Sequence, residues 1–212
     1  MKATITCTAH YVPEKILTNH DIEKMVQTSD EWIQNRTGIK QRHIVSDEEA
    51  SSDLSTHVAK KLLKRRGIDP NQIDVIIVGT VTPDHPTPST AAIVQNNINA
   101  QNAWGFDLSA ACSGFLYGLE TGSKLIESGA YKTVMVIGVD TMTSILDFTD
   151  RETCVIFGDG AGGVILEPSE SNDGIISSIL RTDGSGASSL RVLAGGSRKP
   201  ATKETLINRE HL

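Results

Sequence analysis

The sequence has little of several things, and each shortage narrows the reading. Its 212 residues hold three cysteines, at positions 7, 112 and 154. None falls in a Cys-x-x-Cys pair or a zinc-ligand spacing, so neither a disulfide framework nor a metal site is expected. An odd count without a recognisable secretion signal points to a reducing, cytoplasmic setting. No apolar run approaches the roughly 18 residues of a membrane span. Basic residues number 20 against 26 acidic ones, a formal net charge of −6. That excess of acid argues against general nucleic-acid binding. No low-complexity tract and no repeat of about 20–50 residues is found.

What is present reads as an α/β protein. Hydrophobic residues make up 38% of the chain and charged ones 22%, enough apolar material for a packed core. Residues 4–12 alternate and predict a strand. Thr18 caps a short helix running to about residue 26. Residues 28–31 (Thr-Ser-Asp-Glu) match a capping box opening a second short helix, which carries Trp32, Ile33 and Arg36 and stops at Gly38. Residues 39–45 suit an edge strand. A longer helix starts at Ser51 or Ser52, turns Leu54, Val58, Leu62 and Leu63 inward, and ends at Gly67. The apolar run 74–79 predicts a buried strand. A proline-rich loop follows over 80–89, then a helix to about residue 98 and a strand over 104–108.

From Ser113 the period becomes helical, with Phe115, Leu116, Leu119 and Ile126 on the inward face and Gly129 as the stop. Residues 133–139 predict a further central strand. Residues 157–163, Phe-Gly-Asp-Gly-Ala-Gly-Gly, read as a turn of small residues feeding a strand over 164–166. Residues 174–181 read as another strand. Strands alternating with helices at this spacing build βαβ units and a parallel sheet. The elements cover one face of that sheet visibly and leave the other without an obvious cover.

Cys112 is the candidate nucleophile. It sits where a strand turns into a helix, in the first helical turn, where unpaired backbone N–H groups and the helix dipole favour an anionic sulfur. Small neighbours, Ser109 to Ala111 and Ser113 to Gly114, leave the sulfur open. This is the arrangement of a nucleophile on an elbow. The bland alternative is a small buried hydrophobe. A partner base is harder to find. His57 lies mid-helix, and His85 lies on the proline-rich loop at a strand's C-terminal end. Ala-Cys-Ser-Gly is similar to the caspase signature, but Ala110 stands where that signature has Gln and His57 is badly placed. The 157–162 stretch lacks the Lys-Ser/Thr of a phosphate loop. Trp32 and Arg36 share a helix face and could stack a base and hold a phosphate. The basic set Lys60, Lys61, Lys64, Arg65 and Arg66 reads as a solvated helix face.

Four blocks together resemble β-ketoacyl-acyl carrier protein synthase III, a condensing enzyme family of the thiolase superfamily. They are residues 28–39 (TSDEWIQNRTGI), 106–115 (FDLSAACSGF), Asp150-Arg151, and 156–162 (IFGDGAG). The resemblance runs from residue 1 to about 184. It implies the N-terminal portion of a layered αβαβα fold with a mixed, mostly parallel sheet. Residues 1–170 would be the half carrying the cysteine, and 171–212 a strand and connector toward a second half.

It also implies roles. Cys112 takes an acyl group from acyl-CoA, and malonyl-acyl carrier protein then condenses with it, losing CO2. Thr28, Trp32, Arg36 and Arg151 surround the CoA nucleotide, with Trp32 and Arg151 on the two faces of the adenine. Phe157 walls the acyl pocket. The loop at Thr87 closes the pocket of the other subunit of a homodimer, and threonine where many members have Phe implies longer or branched primers. No cofactor, metal, nucleic acid or membrane is implied; acyl-CoA enters as substrate. The family's catalytic His and Asn belong to a second half not found in these 212 residues, so the chain alone is expected not to condense. The alternative is a non-catalytic α/β scaffold or dimerisation fragment.

Overall fold

A computed structural model describes residues 2–171 and 173–212; Met1 and Asn172, which fall within the two expected segments, lie outside the described residues. The strands are β1 (Ala3–Tyr11), β2 (Lys15–Thr18), β3 (Gln41–Ile44), β4 (Val75–Gly79), β5 (Trp104–Leu108), β6 (Val134–Thr141) and β7 (Asp159–Pro168). The helices are α1 (Asn19–Glu23), α2 (Asp30–Thr37), α3 (Ser51–Arg66), α4 (Thr90–Asn97), α5 (Gly114–Glu127) and α6 (Lys203–Ile207).

The main sheet has the order β1-β7-β6-β4-β5. β4 pairs parallel with both β5 and β6, while β7 runs antiparallel to β6 and β1. β4 is buried throughout, as its unbroken apolar run requires. Helices α3 and α4 cover one face through Leu54, Val58, Leu62 and Val94. Helix α5 covers the other, packing Ile126 on Ile77, Val134, Val136 and Leu166. The expectation of an uncovered face is therefore wrong: α5 lies on it. Its contact stripe is Gly114, Gly118, Gly122 and Ile126, whereas Leu116 is 56% exposed and not inward as the periodicity suggested. Glycine replaces bulk here because backbones touch. A Cβ on Gly118 would stand 2.9 Å from Val136.

A third cluster builds a cap beside the sheet. Leu17, Ile22, Ile33, Ile44, Leu146, Cys154 and Val155 pack together, fastening β2, β3, α1 and α2 to the segment before β7. β2 had no sequence signal, and β3 pairs with it rather than with the main sheet. Arg42 locks this cap. It is buried, and its guanidinium donates to Asn19 Oδ1 and to the Val155 carbonyl, both at 2.7 Å.

Three more expectations are corrected. The helix cap at α2 is Ser29, whose hydroxyl accepts from the Trp32 N–H; Thr28 is one residue too early. The glycines at 160–163 lie inside β7, not in a turn. β7 is wedged between β1 and β6, and small residues let α3 close on it: a Cβ at Gly163 would meet Val58 at 2.9 Å. Residues 174–181 form no strand.

Candidate active site

Cys112 stands at the end of β5, as its sequence context required, but one step earlier than expected. It lies in a 3₁₀ turn, Ala111–Ser113, that precedes α5. Ala111 adopts φ +46°, in the left-handed region that costs an L-residue roughly 1 kcal/mol. That turn lifts Cys112 out of the packing, and the residue is exposed. The elbow is held from below. A Cβ on Gly79, the last residue of β4, would stand 2.7 Å from the Gly114 carbonyl carbon, so strand end and helix start are in direct backbone contact. The Thr80 N–H donates to the Leu108 carbonyl at 3.2 Å, tying β4's exit to β5's.

Cys112 lines an open cavity of about 490 Å³ at the C-terminal end of the parallel strands, where sites gather in open α/β sheets. The walls are Phe115, Val139, Met142 and glycines of β4, β6 and β7, with Asp140 contributing the one charged side chain among the described residues. Asp140 was missed at the sequence level, although a carboxylate closing the apolar run of β6 is a usable signal. Its Oδ1 accepts from Thr80 Oγ1 (3.1 Å), the Val81 N–H (2.8 Å) and Thr82 Oγ1 (3.1 Å). Thr82 Oγ1 in turn accepts the Thr141 N–H at 2.8 Å. Asp159, also missed, is buried and accepts from the Val45 and Thr143 N–H groups at 2.8 and 2.9 Å, pinning the cap to β7.

The other expected site residues form a second group. Trp32 is partly exposed on α2, and the Arg151 guanidinium carbon lies 4.3 Å from its ring centroid, with that of Arg36 at 6.0 Å. Both separations are within cation–π range. The third cluster explains the meeting, because it packs α2 against the segment carrying Arg151. No described carboxylate forms an ion pair with Arg36 or Arg151. Beside the start of α2 the Thr28 hydroxyl is buried with no hydrogen-bond partner.

The structure does not bring every expected residue to the cavity. Phe157 packs on the third cluster while its neighbour Gly158 lines the cavity, and Thr87 is exposed on the loop before α4. No histidine lines the cavity among the described residues. His57 stacks on Tyr11 with ring centroids 4.3 Å apart, and His85 is exposed. Of the basic set on α3, Lys61 and Arg65 donate to the His10 and Thr8 carbonyls of β1, and Arg66 pairs with Glu167. No group of three or more His, Cys, Asp or Glu is placed to hold a metal ion, and no helix is long and apolar enough to cross a membrane, among the described residues.

Comparison with known proteins agrees with this geometry. The family model for 3-oxoacyl-[acyl-carrier-protein] synthase III matches residues 106–184, the stretch running from the nucleophile strand through β7. The β-ketoacyl-[acyl-carrier-protein] synthase III of Solibacter usitatus is 54% identical over 213 residues, covering 99% of this chain and 64% of its own. That of Chlorobaculum tepidum is 55% identical over 214 residues, covering 100% and 65%. The crystal structure of the Thermus thermophilus synthase III superposes with a TM-score of 0.84 at 39% identity, over 87% of this chain and 57% of that one. The chain thus spans about two-thirds or less of the length of these relatives. Nucleophile elbow, layered sheet and sequence identity converge on one assignment: the chain belongs to the β-ketoacyl-[acyl-carrier-protein] synthase III family of thiolase-like condensing enzymes.

Proposed function

We propose that these residues carry the acyl-transfer half of a 3-oxoacyl-[acyl-carrier-protein] synthase III reaction. The observation that carries the reading is Cys112, exposed on a strained elbow in the wall of an open cavity. Its sulfur gives up its proton and attacks the carbonyl of an acyl-CoA thioester. A new S–C bond forms, the bond from that carbon to the CoA sulfur breaks, and the departing sulfur takes up a proton. In the condensation that follows, malonyl-acyl carrier protein loses CO2, and the electron pair left on its α-carbon attacks the acyl carbonyl, releasing the Cys112 sulfur. That second step needs a donor to the developing enolate oxygen. The described lining of the cavity holds no histidine or asparagine for it, so we place condensation outside what these 212 residues do alone.

Thr28, Trp32, Arg36 and Arg151 are assigned to the CoA nucleotide. Two cations without acidic partners beside an exposed indole suit a purine and its phosphates, and an orphaned Thr28 hydroxyl costs about 1–3 kcal/mol until something bonds it. At 4.3 Å Arg151 lies in contact with the Trp32 ring, so an adenine between them requires Arg151 to swing off first. Phe157 and Met142 are assigned to the acyl pocket. Thr87 is assigned to the end of a partner subunit's pocket, with longer or branched primers as the consequence.

A homodimer follows most simply from β5. It is an edge strand whose five residues are all incompletely buried, with Trp104 stacked on Phe106 and Tyr131 beside it. Residues 1–170 form the unit that carries the nucleophile, 171–212 a connector, and the compartment is the cytoplasm. The test is an intact mass before and after acyl-CoA, with Cys112→Ser alongside. A single acyl adduct absent from the variant supports acyl transfer. A folded, dimeric chain that never acylates favours the scaffold reading. Turnover of Thr87→Phe equal to wild type on both acetyl and branched primers would overturn the pocket assignment.

A further inference from the structure

We infer that the buried pair Asn19 and Arg42 positions the walls of the CoA nucleotide slot, holding helix α2 with Trp32 at a fixed distance from the backbone that carries Arg151. The inference deepens the assignment of Trp32, Arg36 and Arg151 to that nucleotide and rests on it. Both residues of the pair are buried. The Arg42 guanidinium donates to the Val155 carbonyl and to Asn19 Oδ1, both at 2.7 Å. Asn19 passes the link on: its Nδ2 donates to Asp30 Oδ1 and to the Ile39 carbonyl, both at 2.8 Å. Asp30 opens α2, and Ile39 follows the Gly38 that stops it, so one amide grips the helix at both ends. Only an amide fills this place, because it accepts from a cation on one side and donates to an anion on the other.

The far end of the link is tied as firmly. The Asp150 carboxylate accepts from the Glu152 N–H and the Thr153 hydroxyl, and the Asp150 carbonyl accepts from the Cys154 N–H. The turn 150–155 therefore moves as a unit, and fixing Val155 fixes the backbone at Arg151. Asp30 is constrained in the same way: Gln34 Nε2 donates to its second oxygen at 2.7 Å, and its own N–H donates to Glu23. Donation from Asn19, then from Gln34, holds the Asp30 carboxyl below its ordinary range, so the Asn19 bond to it is charge-assisted. Stability alone explains the pair poorly. Two neutral carbonyl oxygens return only part of the hydration that a buried guanidinium loses, and an apolar side chain would pack the cap at less cost. What the link supplies is a set separation. With Trp32 and Arg151 in contact at 4.3 Å, the slot is closed inside a rigid frame, and the Arg151 side chain alone swings off to admit the adenine.

The experiment measures the Kd of CoA for the purified full chain by calorimetry. Asn19→Asp keeps the acceptor for Arg42 and replaces the donor to Asp30 with a repelling oxygen. It is expected to weaken CoA at least about fivefold, as the loss of one hydrogen bond would. Adding Asp30→Asn returns a donor to the pair with its polarity reversed, and is expected to recover about half of that loss or more. Alkylation of Cys112 by iodoacetamide is expected at the wild-type rate in both variants, since neither touches the elbow.

A folded Asn19→Asp that binds CoA as tightly as wild type overturns the inference, as does a double variant no better than the single one. Should the single variant not fold, hydrogen exchange of the wild type decides. A frame set in advance protects the amides of 30–37 and 150–155 before CoA is added, and their protection rises less than about threefold on binding. A larger rise means that the ligand builds the slot, and overturns the inference. Trp32→Ala separates the frame from the assignment beneath it. CoA binding lost there and kept in Asn19→Asp overturns the frame alone. CoA binding absent from the wild type, or unmoved by Trp32→Ala, overturns the nucleotide assignment and the frame's role with it.

Discussion

Cys112 and Cys154 carry the same side chain in opposite surroundings. Cys112 is exposed on a backbone turn that forces Ala111 into the left-handed region. Cys154 is fully buried in the cap cluster. Burial raises the Cys154 thiol above its ordinary range, Asp150 raises it further, and the nearby Arg42 only partly opposes them. One cysteine is therefore presented for chemistry and the other is kept as packing. The difference does not lie in flanking composition alone. Cys112 follows two alanines and Cys154 precedes a valine, and both have small or apolar company. What separates them is where the chain turns.

The largest expected effect is in reactivity. In the native protein Cys154 should alkylate at least about 1,000-fold more slowly than Cys112, because it must wait for the cap to open. Timed labelling with peptide mapping measures both rates, and comparable rates would mean that the cap is not closed.

The next effect is on stability. Arg42→Ala strands the Asn19 amide and the Val155 carbonyl inside the cap and is expected to cost about 2–4 kcal/mol in urea unfolding. Gly79→Ala strikes the other region. Its Cβ would press on the Gly114 backbone, costing about 1–3 kcal/mol and slowing Cys112 labelling as the elbow shifts. An unaltered labelling rate would detach the elbow from its support.

A pH effect comes third. For Cys154 the folded-state pKa is raised, so its contribution to stability is complete below the unfolded pKa, about 8.5, and is lost as pH rises toward the folded value. The slope contributed is at most about 1.4 kcal/mol per pH unit. Unfolding free energies from pH 7 to 10 should fall more steeply in wild type than in Cys154→Ala; parallel curves would sink the assignment. The smallest effect is at the elbow itself. Ala111→Gly relieves the positive φ and should stabilise by no more than about 1 kcal/mol. A loss of stability there would mean that the alanine methyl is packed.

The sequence was legible wherever local chemistry decided the outcome. Gly38 and Gly67 cap where their residue type predicts. The apolar run of β4 is buried throughout. Local pattern failed where neighbours came from far along the chain. Leu116 has helical spacing suited to the core, yet glycines on the same helix took the contact because the sheet lies too close for bulk. The 160–163 glycines carry the composition of a turn and form a strand because β1 and β6 pair with them from both sides.

By itself the sequence determined the helix stops at Gly38 and Gly67, the buried strand β4, and an elbow cysteine flanked by small residues, since each depends on interactions within a few positions. Only the tertiary structure decided that Trp32 meets Arg151, that Arg42 is buried under Val155, and that Asp140 shares a cavity with Cys112. These are pairings between segments brought together by packing of apolar faces. No spacing along one chain encodes which charge ends beside which sulfur once the faces have closed.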